Sequence, residues 1–378
     1  MIILYNEFRI RNNNRGTLGF TVTPTSVIIT AVWMIGNSPT SGLINVSIDN
    51  GATWNNYNVG LSPVRGIAYG LTESNNPLWV AVGGTGVATS VSGNSWNIIS
   101  GVTVNGLMNC IAYGKNGSGQ NLFVIGGYST TGSNTFSSSN GTTRTGVADY
   151  NILNSVSGIT YGKFSNGTGV WVAVGIATSG GAGVAISTDG SSWTRVSTTS
   201  LIPISNRFTS ISFGIDNAGN KRWIACAEMN NNTSSCIYTL INPENTANFA
   251  TWTAISSEYM RGRAYSVAFG RGVNGNTFVI AGAVGANTGN TIVTYDGTTA
   301  TGYIPAVNGT PYQGCQVGYL NTGNIENSRF YLTHLQTAVP STTIATSQYG
   351  NSWSTIGFTY TITSPNDING AIATSMPY

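Results

Sequence analysis

The chain has 378 residues, of which only 7% are charged, and its net charge is +3. Polarity is carried instead by Asn, Ser, Thr and 49 glycines, while the twelve arginines and the three lysines (Lys115, Lys163 and Lys221) form no run or stripe, which argues against a nucleic-acid groove. Hydrophobic residues (40%) and aromatic residues (10%) are spread evenly, which argues against disorder, and no apolar run reaches the roughly 18–20 residues of a membrane span.

The chain is longer than one compact core usually takes, yet no charged or proline-rich linker divides it, so one large repetitive domain is expected. It opens on residues 1–31, which match nothing downstream. The start, Met1-Ile2-Ile3-Leu4-Tyr5-Asn6-Glu7, is too short and too soon interrupted by charge to read as a secretion signal. Ile2, Leu4, Phe8, Ile10, Leu18, Phe20 and Ile28 make the segment too apolar for a free tail. It is expected either to attach to a partner or to fold back as a cap.

From Val32 to the end, residues 32–378, a cycle with three landmarks sets in. The first is an apolar strand ending in a small residue, at 32–36, 78–83, 122–126, 170–175, 222–226, 277–281 and 329–333. The second is a hairpin, best seen in Gly183-Val184-Ala185-Ile186-Ser187-Thr188-Asp189-Gly190-Ser191-Ser192-Trp193. Its strand alternation breaks at Asp-Gly, a pair suited to the positive φ of tight turns. Related copies contain Asp49, Gly51 and Trp54, then Trp96, then Gly350 and Trp353; degraded ones contain Asn140-Gly141 and Asp296-Gly297. The third landmark is a short strand of small and aromatic residues, at 66–70, 110–114, 158–162, 210–214, 266–270, 316–319 and 370–373.

With a longer insertion between Cys236 and Trp252 as the weakest copy of the hairpin, each landmark occurs seven times, with a period of roughly 45–55 residues and four strands per unit, the signature of propeller blades. The fold expected is an all-β, seven-bladed β-propeller with four-stranded blades. Its ring closes by pairing the C-terminal strand with the N-terminal blade. The small residues of the third landmark are expected where innermost strands crowd the axis.

Ser47-Ile48-Asp49-Asn50-Gly51-Ala52-Thr53-Trp54 matches the pattern S-x-D-x-G-x-x-W in full, and residues 32–375 thereby resemble the Asp-box (bacterial neuraminidase repeat) propellers. That family includes sialidases, other glycosidases, lectin-like proteins and repeat domains of virus and phage particles. The resemblance implies that Asp49, Asp189 and Asp296, with Gly51, Gly190 and Gly350, hold turns between outer strands, and that Trp54, Trp96, Trp193 and Trp353 pack between blades. These residues are expected to be structural.

A sialidase-like site would need three converging arginines, a tyrosine activated by a glutamate and an acid/base aspartate. Phe8-Arg9-Ile10-Arg11 only faintly echoes the family's Phe/Tyr-Arg-Ile-Pro segment and lies outside the repeats, and the acids outside the turns show no telling spacing. His334, the sole histidine, is expected to be a packed strand residue, so no catalytic residue, metal site or cofactor is expected. Cys226 and Cys236 could oppose each other across a hairpin but are expected to be buried free thiols. Binding asks for less: Asn, Thr and aromatic residues on rim loops suit sugar hydroxyls and flat protein surfaces. The candidates are Tyr57, Tyr128, Tyr150, Tyr259, Arg261, Arg263, Tyr303 and Tyr312. The expectation is a non-enzymatic virus or phage particle component, without nucleic-acid binding or membrane insertion. It would contact coat proteins, through residues 1–31, or host glycans; the alternatives are a glycosidase or a free-standing lectin.

Overall fold

The structure, a computed structural model, describes residues 33–36, 42–47, 53–100, 106–129, 134–143, 145–146, 153–196, 205–231, 233–256, 260–272, 274–284, 288–303, 306–307, 310–320, 328–336, 342–360 and 372–373. Residues 1–31, Asp49, Gly51, Tyr150 and Tyr259 lie outside them.

Antiparallel meanders follow one another along the chain. The first contains β1 (Trp33–Gly36), β2 (Leu43–Ser47) and β3 (Asn55–Asn58). The second is β4 (Gly66–Leu71), β5 (Pro77–Gly83), β6 (Gly86–Ser90) and β7 (Asn97–Ile98). Next come β8 (Gly106–Lys115), β9 (Asn121–Ser129), β10 (Thr135–Ser138) and β11 (Thr145–Gly146). They are followed by β12 (Ser155–Lys163), β13 (Gly169–Ile176), β14 (Ala182–Ser187) and β15 (Thr194–Val196). The fifth meander is β16 (Ser205–Ile215), β17 (Lys221–Met229), β18 (Ile237–Ile241) and β19 (Thr253–Ala254). The sixth is β20 (Gly262–Gly272), β21 (Gly275–Val284), β22 (Thr288–Tyr295) and β23 (Ala300–Tyr303). Then β24 (Ala306–Val307) pairs with the start of β25 (Thr310–Leu320), which leads β26 (Arg329–Gln336), β27 (Thr342–Ser347) and β28 (Ser354–Tyr360). The last strand, β29 (Ile372–Ala373), pairs antiparallel with β1, Met34 standing opposite Ala373. A single paired position, Glu228 with Arg263, joins the fifth and sixth meanders into one eight-stranded sheet.

The leading strands lie against one another in sequence: β4 on β8, β8 on β12, β12 on β16, β16 on β20 and β20 on β25, while β29 touches both β25 and β4. Second strands are therefore covered on both faces. This is why β5, β9 and β13 are continuous apolar runs and not the alternation of a half-exposed strand. Trp171 in β13 and Trp223 in β17 are completely buried, and each packs tilted on an aromatic ring of its own leading strand: Tyr161 with Trp171 at 4.9 Å and Phe213 with Trp223 at 4.8 Å between centroids.

That same leading-strand ring explains the glycines of the third landmark. A Cβ on Gly70 would collide with the ring of Tyr113, one on Gly114 with Tyr161, one on Gly162 with Phe213, one on Gly214 with Phe269 and one on Gly270 with Tyr319. The crowding of neighbouring leading strands is thus specific, ring against glycine. Each aromatic-Gly pair is a knob for the preceding meander and a hole for the next, so the repeat encodes its own neighbour contact.

The irregular hairpin of the fifth meander holds a 3-10 turn, Thr246–Ala250, the only helix among the described residues. Asn245 caps it, and Phe249 is buried against Phe164 and Trp223. Ser165 N donates to Pro243 O and Lys221 Nζ to Ser165 O, so the insertion clasps the preceding meander. Cys226 and Cys236 are buried free thiols, and burial pushes that of Cys236 up to about 12.

Candidate functional site

An antiparallel meander places its first and third connections at one end of the sheet and its remaining links at the other. The first of these ends, the turn end, is chemically uniform. Ser187 Oγ accepts from Asp189 N and Gly190 N, and Asp189 Oδ1 accepts from Ser191 N and Ser192 N, each at 2.7 Å. Burial alone would raise the Asp189 pKa, but the bonds from Ser192, Ser191 and Ser187 outweigh it and hold the carboxylate at about 2. Ser90 and Ser347 serve the same way for Gly93 N and Gly350 N, and Asn140 and Asp296 accept two backbone N–H groups each. Trp193 is buried in a cluster with Leu122 and Val124 of the meander before it. Trp96 packs against the cluster that includes Ile44 and Val46, and Trp353 against the one that includes Ala268 and Val279, each cluster drawing on the preceding meander.

A buried ion pair lies at this end as well. Arg222 Nη2 meets Asp216 Oδ2 at 2.7 Å with both side chains 3% exposed, and Arg222 Nη1 also donates to Thr239 Oγ1 and to Tyr295 OH of the next meander. For Asp216 the burial penalty is outweighed by hydrogen bonds from Arg222 and Asn220, so its pKa is lowered.

The opposite end carries β-bulges at one repeated place. Register shifts fall between Met108 and Cys110, Val156 and Gly158, Phe208 and Ser210, Ala264 and Ser266, and Gly314 and Gln316. The extra residues are Asn109, Ser157, Thr209, Tyr265 and Cys315, and Arg65 occupies the matching place just before β4. A bulge breaks the ladder and re-aims a side chain. Arg65 Nη1 donates to Asn109 Oδ1 at 3.4 Å, Asn109 Nδ2 to Val156 O at 3.1 Å and Thr209 Oγ1 to Ala264 O at 2.6 Å, each bond crossing to the next leading strand. Arg65, Asn109, Ser157, Thr209 and Tyr265 thus form a band of half-buried polar groups whose chemistry differs from meander to meander.

At the same end, Glu228 takes Arg207 Nε at 3.0 Å on one oxygen and lies 3.5 Å from Arg263 Nε on the other, where the fifth and sixth meanders join. The two arginine side chains are 50% and 41% exposed, so this seam is a basic patch open to solvent. Among the described residues no group of His, Cys, Asp and Glu could hold a metal ion.

No protein-family model and no curated protein matches the chain. Among solved structures, an ancestral GH74 enzyme matches with a TM-score of 0.59 at 16% identity, covering 85% of this chain and 44% of its own. The GH74 xyloglucanase from Xanthomonas campestris matches with a TM-score of 0.51 at 13% identity, covering 77% and 45%. The fold is a β-propeller. A fungal lectin from Aleuria aurantia, described as a six-bladed β-propeller, matches with a TM-score of 0.42 at 12% identity, covering 68% and 78%. The chain spans less than half the length of the two GH74 proteins, and the likeness is one of fold.

Most of the rim candidates sit on strands of the propeller and not in loops, because the strands extend beyond the apolar landmarks. Tyr57 lies on β3 opposite Ile44 and is half-buried on the core. Tyr128 lies on β9 opposite Leu107, and both are exposed. Arg263 is on β20, and exposed Arg261 forms an isolated bridge with Ser235. Tyr303 and Tyr312 are on β23 and β25, with their side chains outside the description. Helix content offers no membrane span: no helix among the described residues is long and apolar enough to cross one.

The sequence reading missed the bulge residues. A signal was present, because the residue immediately before each Gly/Ser/Cys/Gln-Ile/Val pair of the third landmark varies while its neighbours hold: Arg65, Asn109, Ser157, Thr209, Tyr265, Cys315.

Proposed function

We propose that the protein is a non-catalytic binding propeller of seven four-stranded blades, closed through β29 on β1, whose bulge end engages glycans. Support for the closed ring comes from the unbroken succession of leading-strand contacts from β4 through β25 to β29 and back to β4. One observation carries the binding reading: packing dictates the neighbouring positions in every blade, yet the bulge position takes Arg, Asn, Ser, Thr, Tyr or Cys. Variation of largely polar chemistry at a fixed place near one end of the sheets is what recognition of an irregular, hydroxyl-rich partner needs. The turns of the opposite end are read as Asp-box turns with a structural role.

The setting proposed is a virus or phage particle, with residues 1–31 as attachment to coat proteins. The support is compositional: very low charge and a surface of Asn, Ser, Thr and Gly. A glycosidase, the second reading suggested by the GH74 likeness in fold, requires two carboxylates flanking the scissile bond. Glu228 is the one acid at the bulge end among the described residues, and it is engaged by Arg207 and Arg263. A glycan array run beside a glycosidase substrate panel tests the proposal. Saturable binding without turnover, lost in an Arg65→Ala, Asn109→Ala variant, is the expected result; turnover of any substrate overturns it.

A further inference from the structure

One turn of the turn end carries a large aromatic side chain where its copies carry a small polar or acidic one. In the hairpin between β27 and β28, Tyr349 stands at the place that Asp189 occupies in its copy: Ser187-Thr188-Asp189-Gly190 aligns with Ser347-Gln348-Tyr349-Gly350. This turn is still closed, by Gly350 N on Ser347 Oγ and by Trp353 Nε1 on Gly350 O. The staple carboxylate has thus been replaced by an aromatic ring that the turn does not need.

Tyr349 lines an open cleft of about 150 Å³ between the β20–β23 and β25–β28 meanders, facing the Asp296 turn of the adjacent blade. Asn276, Thr299, Thr301 and Asn351 complete the polar wall. Asp296 Oδ1 is occupied by Thr298 N and Thr299 N, but its second oxygen has no hydrogen-bond partner among the described residues. Nor do the Tyr349 hydroxyl, the Asn351 amide or the Thr299 and Thr301 hydroxyls. Burial raises the Asp296 pKa and the turn N–H groups lower it more, so the carboxylate stays ionised.

We infer that this cleft is a second ligand site, opposite the bulge end, for one ring of a neutral sugar. A carboxylate oxygen beside amide and hydroxyl groups accepts and donates to adjacent sugar hydroxyls, and a half-buried tyrosine ring offers a face for the apolar side of a pyranose. Neutrality of the ligand follows from the wall itself, because Asp296 is its only charged lining group and would repel an acidic sugar.

Saturation-transfer NMR on the full chain tests this, with methyl glycosides of mannose, galactose, fucose and N-acetylglucosamine as probes. Saturable binding of at least one glycoside is expected, weakened about tenfold or more by Asp296→Asn and by Tyr349→Ala. Asp296→Asn should keep the turn closed, because Asn140 accepts the same two backbone bonds in its own copy, so a cooperatively folded variant accompanies the loss of binding. The inference fails if no glycoside binds, or if both variants bind as the parent does. Binding that is lost in Arg65→Ala but kept in both cleft variants also overturns it, while leaving the bulge-end reading intact.

Discussion

The two ends of the sheets solve different problems with the same repeat. At the turn end, Ser187, Asp189 and their counterparts close hairpins by accepting backbone N–H groups, and Trp193 and its counterparts seal one meander onto the last. At the bulge end, Asn109, Ser157, Thr209 and Tyr265 occupy places where the ladder is interrupted and the side chain differs from one meander to the next. Repetition therefore marks stability, and departures from it mark candidate chemistry. Tyr349 obeys the same rule from within the turn end.

If the contrast is right, substitutions at the turn end outside the Asp296–Tyr349 cleft cost stability and spare ligand binding, and the reverse holds at the bulge end. The largest effect is expected for Asp216→Ala, which leaves Arg222 buried without its counter-ion and should destabilise by about 3–5 kcal/mol in urea unfolding. Trp193→Ala should cost a comparable amount, about 3–5 kcal/mol, through the cavity left beside Leu122 and Val124. Asp189→Ala follows at about 1–2 kcal/mol, because two backbone donors lose their acceptor. A wild-type denaturation midpoint in any of these three would break the comparison.

Acid should act on the turn end first. Asp189, Asp216 and Asp296 have folded-state pKa values below the ordinary carboxylate value of about 3.9, that of Asp189 at about 2. The stability they contribute is complete above the unfolded-state value and is lost as pH falls through the folded ones, so melting temperature should drop steeply between about pH 4 and pH 2. Asp189→Asn should flatten part of that slope. The smallest effect on stability is expected for Arg263→Ala, whose exposed pairing with Glu228 is worth about 0–1 kcal/mol. Its melting curve should overlay the parent's, and a reduced signal on the glycan array would set the two ends apart most sharply.

Much of this was legible in the linear sequence because local chemistry wrote it there. Apolar runs such as Leu78-Trp79-Val80-Ala81-Val82 are strands whatever surrounds them, and Ser-Thr-Asp-Gly closes a turn with donors at most three residues away. A motif repeated at a regular spacing also implies that units stack. The partner of each third-landmark glycine was not legible: Gly114 accommodates Tyr161, 47 positions on, and only the packed meanders bring them together. The varying residue before each third-landmark pair marked positions such as Asn109 but not that they are bulges, since register is set by two strands jointly. Asp296 and Tyr349 read alone as two turn residues of different blades. They become two walls of one cleft when the β20–β23 and β25–β28 meanders pack side by side, because non-local burial, and no local preference, fixes which turns face each other.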